Sequence, residues 1–288
     1  MNAQGRLSRL LVELQSDRTL YVTDNWRRRL DALDRLESCL IHEDAEADRA
    51  MLDQVSKIGA ELEASNRDFY ESLRRDIRAG SGAHRLMQCT HEADHDEKNA
   101  GRAGSERYDD LDVLVSGVLQ LDEPHDVSAE LAPDMVFYQP TPATQIFQFI
   151  SRTGLNEQDV LVDLGAGLGH VPLLAAICSS ARCIGIECEP AYVASARKSA
   201  SDLRLNNATF LAQDVRDADF SQGTLFYLYT PFTGTLLHEV MSMLRHEAAQ
   251  REIRIGTLGP CTEVVAQESW LQTDDTMTPH EIVIFRNG

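Results

Sequence analysis

The chain has 288 residues, a formal net charge of −19 and 43% hydrophobic residues. That length suggests one large domain or two smaller ones, and the apolar content supports a real core, which excludes wholesale disorder. The acidic balance repels a phosphate backbone and no run of Lys and Arg offsets it, so nucleic acid is a poor partner, while cationic or neutral partners fit better.

The longest apolar run, Val171 to Cys178, is too short to span a bilayer, and no apolar stretch follows Met1 to Arg6 as a leader would. The expectation is a cytoplasmic protein with no membrane partner. Six cysteines (Cys39, Cys89, Cys178, Cys183, Cys188 and Cys261) form no CxxC pair, which points to reduced thiols packed as small hydrophobes.

Leu7, Leu10, Leu11 and Leu14 recur at helical spacing, as do Leu30, Leu33, Leu36 and Leu40, then Val55, Ile58 and Leu62, then Phe69, Leu73 and Ile77. Charged residues fill the positions between. The pattern predicts a helical N-terminal domain over 1–79, either two or three packed helices or a dimerising arm that would make a homodimer. Ala79-Gly80-Ser81-Gly82-Ala83 stops the helix, and residues 80–107 read as a polar, mobile linker. Cys89, His91, Asp94 and His95 fall in it. Zinc wants four well-placed ligands with an outer shell, so a solvated linker is the simpler reading and no metal is assigned.

A third segment, 108–288, begins with an amphipathic helix over Tyr108 to Leu121. An extended proline-bearing stretch follows, Phe137-Tyr138-Gln139-Pro140-Thr141-Pro142-Ala143-Thr144, then a helix from Gln145 to Thr153 that ends at Gly154. Strand and helix alternate from there on. The expected fold is α/β, a doubly wound, mostly parallel seven-strand sheet carrying an α-helical N-terminal domain.

Val160-Leu161-Val162-Asp163-Leu164 is an apolar strand carrying a carboxylate near its end. Gly165, Ala166, Gly167, Leu168 and Gly169 form a turn, and an apolar helix begins at Val171. Glycines there let backbone approach a ligand closely. The spacing, Asp-x-Gly-x-Gly-x-Gly, departs from the dinucleotide fingerprint GxGxxG, and an acid ahead of the glycines suits a cationic ligand better than a pyrophosphate. The second strand, Cys183 to Ile186, ends at Glu187-Cys188, and an acid at that distance past the turn accepts hydrogen bonds from ribose hydroxyls. The third, Ala208 to Ala212, leads to Gln213-Asp214-Val215, where an acid can accept from an adenine amino group. The fourth, Leu225 to Leu228, stops at Tyr229-Thr230-Pro231-Phe232.

These residues resemble the class I, seven-strand S-adenosylmethionine-dependent methyltransferases over roughly Tyr138 to Arg286. The resemblance implies S-adenosylmethionine as cofactor. Asp163, Gly165, Ala166, Gly167 and Gly169 would hold its methionine part, Glu187 with Cys188 its ribose, and Asp214 with Gln213 and Val215 its adenine. The order of the Tyr138–Thr144 stretch, helix and glycine motif is similar to that of the seven-strand protein-lysine methyltransferases. That likeness implies that Tyr138 and Thr141 help enclose cofactor and acceptor, with a lysine amine as the acceptor. Tyr229-Thr230-Pro231-Phe232 stands where amine and amide methyltransferases carry Asn-Pro-Pro-Tyr, and only Pro231 and Phe232 keep that pattern.

In-line methyl transfer rests on positioning and electrostatics, and an acceptor nitrogen must be neutral or lose a proton. Tyr138 and Tyr229 are the catalytic candidates, each with a packed rim tyrosine as the simpler alternative. Tyr229 also borders the cofactor. His170 opens the helix after the glycine turn and is expected to be a neutral ring. Thr230, Pro231 and Phe232 are expected on the acceptor side, with Pro231 holding Thr230 extended so that its carbonyl orients an acceptor N–H. Two further readings stay open: a small-molecule O- or N-methyltransferase, and a non-catalytic methyltransferase-fold binding subunit.

Overall fold

The computed structural model describes residues 3–43, 49–90, 110–124, 134–277 and 280–288. The chain divides into two compact units, Met1–Arg74 and Arg75–Gly288. The division falls inside a helix rather than at Ala79.

The first unit is helical, as its spacing of apolar residues requires. Helices α1 (Ala3–Ser16) and α2 (Trp26–Glu43) are joined by a 3-10 turn at Arg18–Tyr21, and α3 (Arg49–Arg78) completes it. Their apolar stripes meet in one core containing Leu7, Leu11, Leu14, Leu36, Ile58 and Leu62, and Trp26 stacks on Phe69 with ring centroids 6.3 Å apart.

Arg29 is fully buried on α2. Its guanidinium donates to Asn66 Oδ1 at 2.6 Å and to the carbonyls of Leu20, Val22 and Thr23 at 3.0, 2.7 and 2.9 Å. One planar fork thus gathers the turn, α2 and α3 by donating to three carbonyls in and after the 3-10 turn and to the Asn66 carboxamide. Arg29→Met keeps the stem and takes the guanidinium from these acceptors, of which the Val22 carbonyl keeps the Asn25 N–H. It is expected to cost about 3 kcal/mol, the scale for orphaned buried polar groups. Urea unfolding checks this, and a loss below about 0.5 kcal/mol would show the acceptors rehydrating freely.

In the second unit, residues 82–90 form a helix, α4, where composition alone reads linker. Leu86 and Cys89 are buried, one helical step apart. Leu86 and Cys89 are its only two buried apolar side chains, too few to register as periodicity in a polar stretch. Of the Cys89, His91, Asp94 and His95 group, the three acidic and histidine positions lie outside the described residues. Helix α5 spans Asp110–Leu119 and ends two residues before the expected Leu121, the expected start at Tyr108 lying outside the described residues, and α6 spans Ala143–Thr153, capped by Gly154 in the left-handed region at φ 60°.

Seven strands follow: β1 (Val160–Leu164), β2 (Arg182–Glu187), β3 (Ala208–Ala212), β4 (Leu225–Leu228), β5 (Arg254–Thr257), β6 (Leu271–Gln272) and β7 (Val283–Asn287). They form one sheet in the order β3-β2-β1-β4-β5-β7-β6. All pairings are parallel except those of β7, which runs antiparallel to β5 and β6. Helices α7 (His170–Cys178), α8 (Pro190–Asp202), α9 (Gly234–Ala248) and α10 (Cys261–Val265) provide the crossovers. Because helices cover both faces, central strands such as β4 are apolar throughout rather than alternating.

Strand order reverses between β1 and β4. Beyond the carboxyl ends of these two strands the loops part, and a parallel sheet receives its ligand in that crevice. Among the described residues, no helix is long and apolar enough to cross a membrane.

Candidate functional site

A cavity of about 1310 Å³ opens at those strand ends. Its floor is the turn after β1. Gly165, Gly167 and Gly169 have φ of 85°, 53° and 83°, and the N–H groups of Gly165 and Ala166 both donate to the Ile186 carbonyl at 2.9 Å. At its glycine positions this turn has no room for side chains. A Cβ on Gly165 would sit 2.3 Å from Pro231, and one on Gly167 2.1 Å from the Tyr138 ring.

Glu187 ends β2 beside it. One carboxylate oxygen accepts from the Gly167 N–H at 2.9 Å, and the other from the Glu189 N–H at 2.8 Å and the Cys188 thiol at 3.3 Å. Desolvation, and then the Glu187 charge, push that thiol up to about 12. At the end of β3, Asp214 accepts from the Arg216 backbone N–H and forms a bidentate pair with its guanidinium at 2.9 and 2.6 Å. That pairing holds the Asp214 carboxyl below the usual range.

The other rim is built by two segments docked on each other. The extended stretch 134–139 bridges the turn after β4: Met135 pairs with Phe232, the Val136 N–H donates to the Pro231 carbonyl at 3.3 Å, and the Thr233 N–H to the Asp134 carbonyl at 2.8 Å. The Asp134 carboxylate also accepts from the Thr235 N–H at 3.1 Å. Tyr138 lies over Gly167, 5.0 Å from the Tyr192 ring, with its hydroxyl hydrogen-bonded to His170 Nδ1 at 3.1 Å.

Of the residues expected in the site, Tyr138, Gly165, Glu187, Cys188, Gln213, Asp214, Val215 and Tyr229 line this cavity, as do Thr230, Pro231 and Phe232. Ala166, Gly167 and Gly169 shape the turn without lining it. Thr141 is elsewhere: it is buried, with its hydroxyl 3.3 Å from that of Tyr227, and braces α6 against β4. Thr230 is not extended. Its φ is 40°, because its N–H donates to Cys261 Sγ at 3.4 Å and its hydroxyl bonds both the Leu258 carbonyl and the Cys261 N–H. These three tethers override the steric preference that Pro231 imposes. Phe232 belongs mainly to the core, only 2% exposed.

Burial raises the phenols of Tyr138 and Tyr229, so both are neutral hydrogen-bonding groups rather than bases. Desolvation lowers the His170 imidazole to about 4, which makes it the neutral partner of Tyr138 that its place at a helix start suggested. Sequence reasoning missed Phe137, Tyr192, Glu239 and His280 as lining residues. Tyr192 and Glu239 lie one turn into their helices, where no local pattern separates a cavity face from a solvent face.

Asp163 is almost fully buried behind the turn rather than lining the cavity. Desolvation first, and then the Glu187 charge, raise its carboxyl well above the usual value. A raised native pKa means the native state holds its proton to higher pH than the unfolded chain. Stability therefore falls as pH rises from the ordinary carboxylate range through the raised value. Asp163→Asn is expected to raise the Tm of the unliganded chain by a few degrees at neutral pH, with the gain vanishing toward acid pH. An equal or lower neutral-pH Tm would mean that the carboxylate is compensated.

Residues 155–230 match a family model described as a methyltransferase domain, a span containing β1 to β4 with the glycine turn, Glu187 and Asp214. No curated protein matches the chain. Similar solved structures include an RNA methyltransferase from Salinibacter ruber, in complex with S-adenosyl-L-homocysteine. It is 25% identical over 51% of this chain and 92% of that one, with a TM-score of 0.41. A tRNA methyltransferase from Aquifex aeolicus is 14% identical over 52% and 70%, with a TM-score of 0.40. The seven-strand sheet thus carries, at residues 155–230, a span similar to a methyltransferase domain.

Proposed function

We propose that this protein methylates an amine nitrogen, of the protein-lysine kind, at the part of the cavity beyond β4 and β5. S-adenosylmethionine is the methyl donor, and it supplies an electrophilic methyl group on a sulfonium. The donor set fits it: a glycine turn with no room for Cβ atoms, and carboxylates of Glu187 and Asp214 at the ends of β2 and β3, each with lone pairs to share. Glu187 would hold the ribose hydroxyls while keeping the turn in place. Asp214, with Gln213 and Val215 beside it, would take the adenine amino group while still paired to Arg216.

The observation that supports an amine acceptor is the charge of the lining. Asp134, Glu187, Glu189, Asp214 and Glu239 stand against Arg216, already paired, and His280 among the described lining residues. Such a wall draws in cations and disfavours phosphates. Phe137 adds an aromatic face, 80% exposed at the rim although its neighbours on both sides are tied down. An ammonium group passing it gains a cation–π contact. Tyr138 and Tyr229, as neutral phenols, orient rather than deprotonate, so the amine would shed its proton to water or to a wall carboxylate before transfer.

A small-molecule amine is the second reading, favoured by cavity size: ligand cavities usually run about 300–1,000 Å³, and this one exceeds that range. The test is methyl-labelled S-adenosylmethionine with the full chain and cell lysate, followed by protease, ribonuclease or filtration. Label in the protease-sensitive, ribonuclease-resistant fraction is expected. Label in the filtrate would favour the small molecule, and label lost to ribonuclease would overturn the amine reading.

A further inference from the structure

We propose that His170 is a positioning residue for the cofactor's seat: its hydrogen bond to Tyr138 holds that ring down on the glycine turn. This rests on the methyltransferase reading and assigns that site a residue that does not itself line the cavity. His170 is the first residue of α7, directly after Gly169, so it belongs to the same piece of chain as the floor. Its Nδ1 lies 3.1 Å from the Tyr138 hydroxyl. The Tyr138 ring lines the cavity and packs on Gly167, where an added Cβ would meet it at 2.1 Å. The Leu168 N–H also bonds the phenol oxygen. An N–H accepts nothing, so the hydroxyl proton has His170 Nδ1 as its acceptor.

The other fastenings of the stretch 134–141, a strap along the cavity's rim, show why this bond matters. At one end the Val136 N–H donates to the Pro231 carbonyl at 3.3 Å, the Thr233 N–H to the Asp134 carbonyl at 2.8 Å and the Thr235 N–H to the Asp134 carboxylate at 3.1 Å. Beyond Tyr138, the Thr141 and Tyr227 hydroxyls pair at 3.3 Å, and the Ala143 N–H donates to Asp112 Oδ1 at 2.7 Å. Both backbone ends are tied, so rotation of the Tyr138 ring is a shorter way to uncover Gly167 than lifting the strap. His170 opposes that rotation. The phenol is largely withdrawn from water, and a hydroxyl without an acceptor there is drawn out toward solvent. Time the ring spends away is time without a complete seat, and cofactor affinity falls by that fraction.

The probe is S-adenosylhomocysteine, titrated calorimetrically into the full chain. His170→Leu should weaken binding roughly tenfold, the scale of one well-made buried hydrogen bond. His170→Asn, whose side-chain oxygen can stand where Nδ1 stands, should stay within about threefold of wild type. Tyr138→Phe removes the hydroxyl and with it the pull toward solvent, so its loss should also stay within about threefold. Adding Tyr138→Phe to His170→Leu should recover most of the latter's loss, because no hydroxyl is left to strand. Losses that multiply in the double variant would make His170 merely structural and overturn the proposal. Tighter binding by His170→Leu would overturn it too, by making Tyr138 an obstacle rather than a wall. A second measurement needs no ligand: the nitrogen-15 resonance of His170 Nδ1 should move in Tyr138→Phe, and an unmoved resonance would show that the two side chains are not bonded. If His170→Leu does not fold, the imidazole is structural and the proposal falls. Failure of the wild type to bind the probe would instead sink the methyltransferase reading, whatever the resonance does.

Discussion

Replacing Gly167 with alanine is expected to weaken S-adenosylhomocysteine binding by about a hundredfold. Two costs combine. Gly167 has φ 53°, a region where a Cβ costs about 1–2 kcal/mol, and that Cβ would lie 2.1 Å from the Tyr138 ring. Overpacking of this kind costs about 1–3 kcal/mol. The ring cannot simply swing aside, since its hydroxyl is bonded to His170 and its face meets Tyr192. The strap must lift or the turn must shift, and either change spoils the cofactor's seat. Tyr138→Ala in the same chain should restore part of the loss by removing the clash and leaving the dihedral cost. Calorimetry with both variants checks this. Affinity within threefold of wild type for Gly167→Ala would mean that the turn is not the cofactor's floor.

Glu187 carries the second large effect. Its carboxylate would serve two masters, the ribose and the turn, since it accepts the Gly167 and Glu189 N–H groups in the unliganded chain. Glu187→Ala strands both donors and removes the ribose acceptor, so affinity should fall by about 1–3 kcal/mol, roughly ten- to a hundredfold. Glu187→Gln keeps one oxygen but turns an amide NH₂ toward a backbone donor, and should lose an intermediate amount. Both variants should also lose Tm, as a pure ligand contact would not. Unchanged affinity in the alanine variant would remove Glu187 from the site.

Much of this was legible in the sequence because the sheet is buried on both faces. Apolar runs located β1, β3 and β4 at their observed limits, and the acids at the ends of β2 and β3 fall on the cavity as expected. What local sequence could not show was set by tertiary tethers. Thr230 precedes a proline and reads as extended, yet three hydrogen bonds from Leu258 and Cys261 hold it at positive φ. Thr141 sits in the strap that encloses the cavity, but its hydroxyl turns toward Tyr227. Helix 82–90 was missed for another reason, having only two buried apolar side chains in a polar stretch.

The central claim is that the crevice between β1 and β4 takes a sulfonium cofactor rather than a dinucleotide. Calorimetric titration of the full chain with S-adenosylmethionine, S-adenosylhomocysteine and NAD tests it directly. The glycine turn, the Glu187 and Asp214 carboxylates and the acidic lining predict saturable, one-to-one binding of both sulfur ligands, with NAD at least tenfold weaker. Saturable NAD binding with no heat from either sulfur ligand would contradict it.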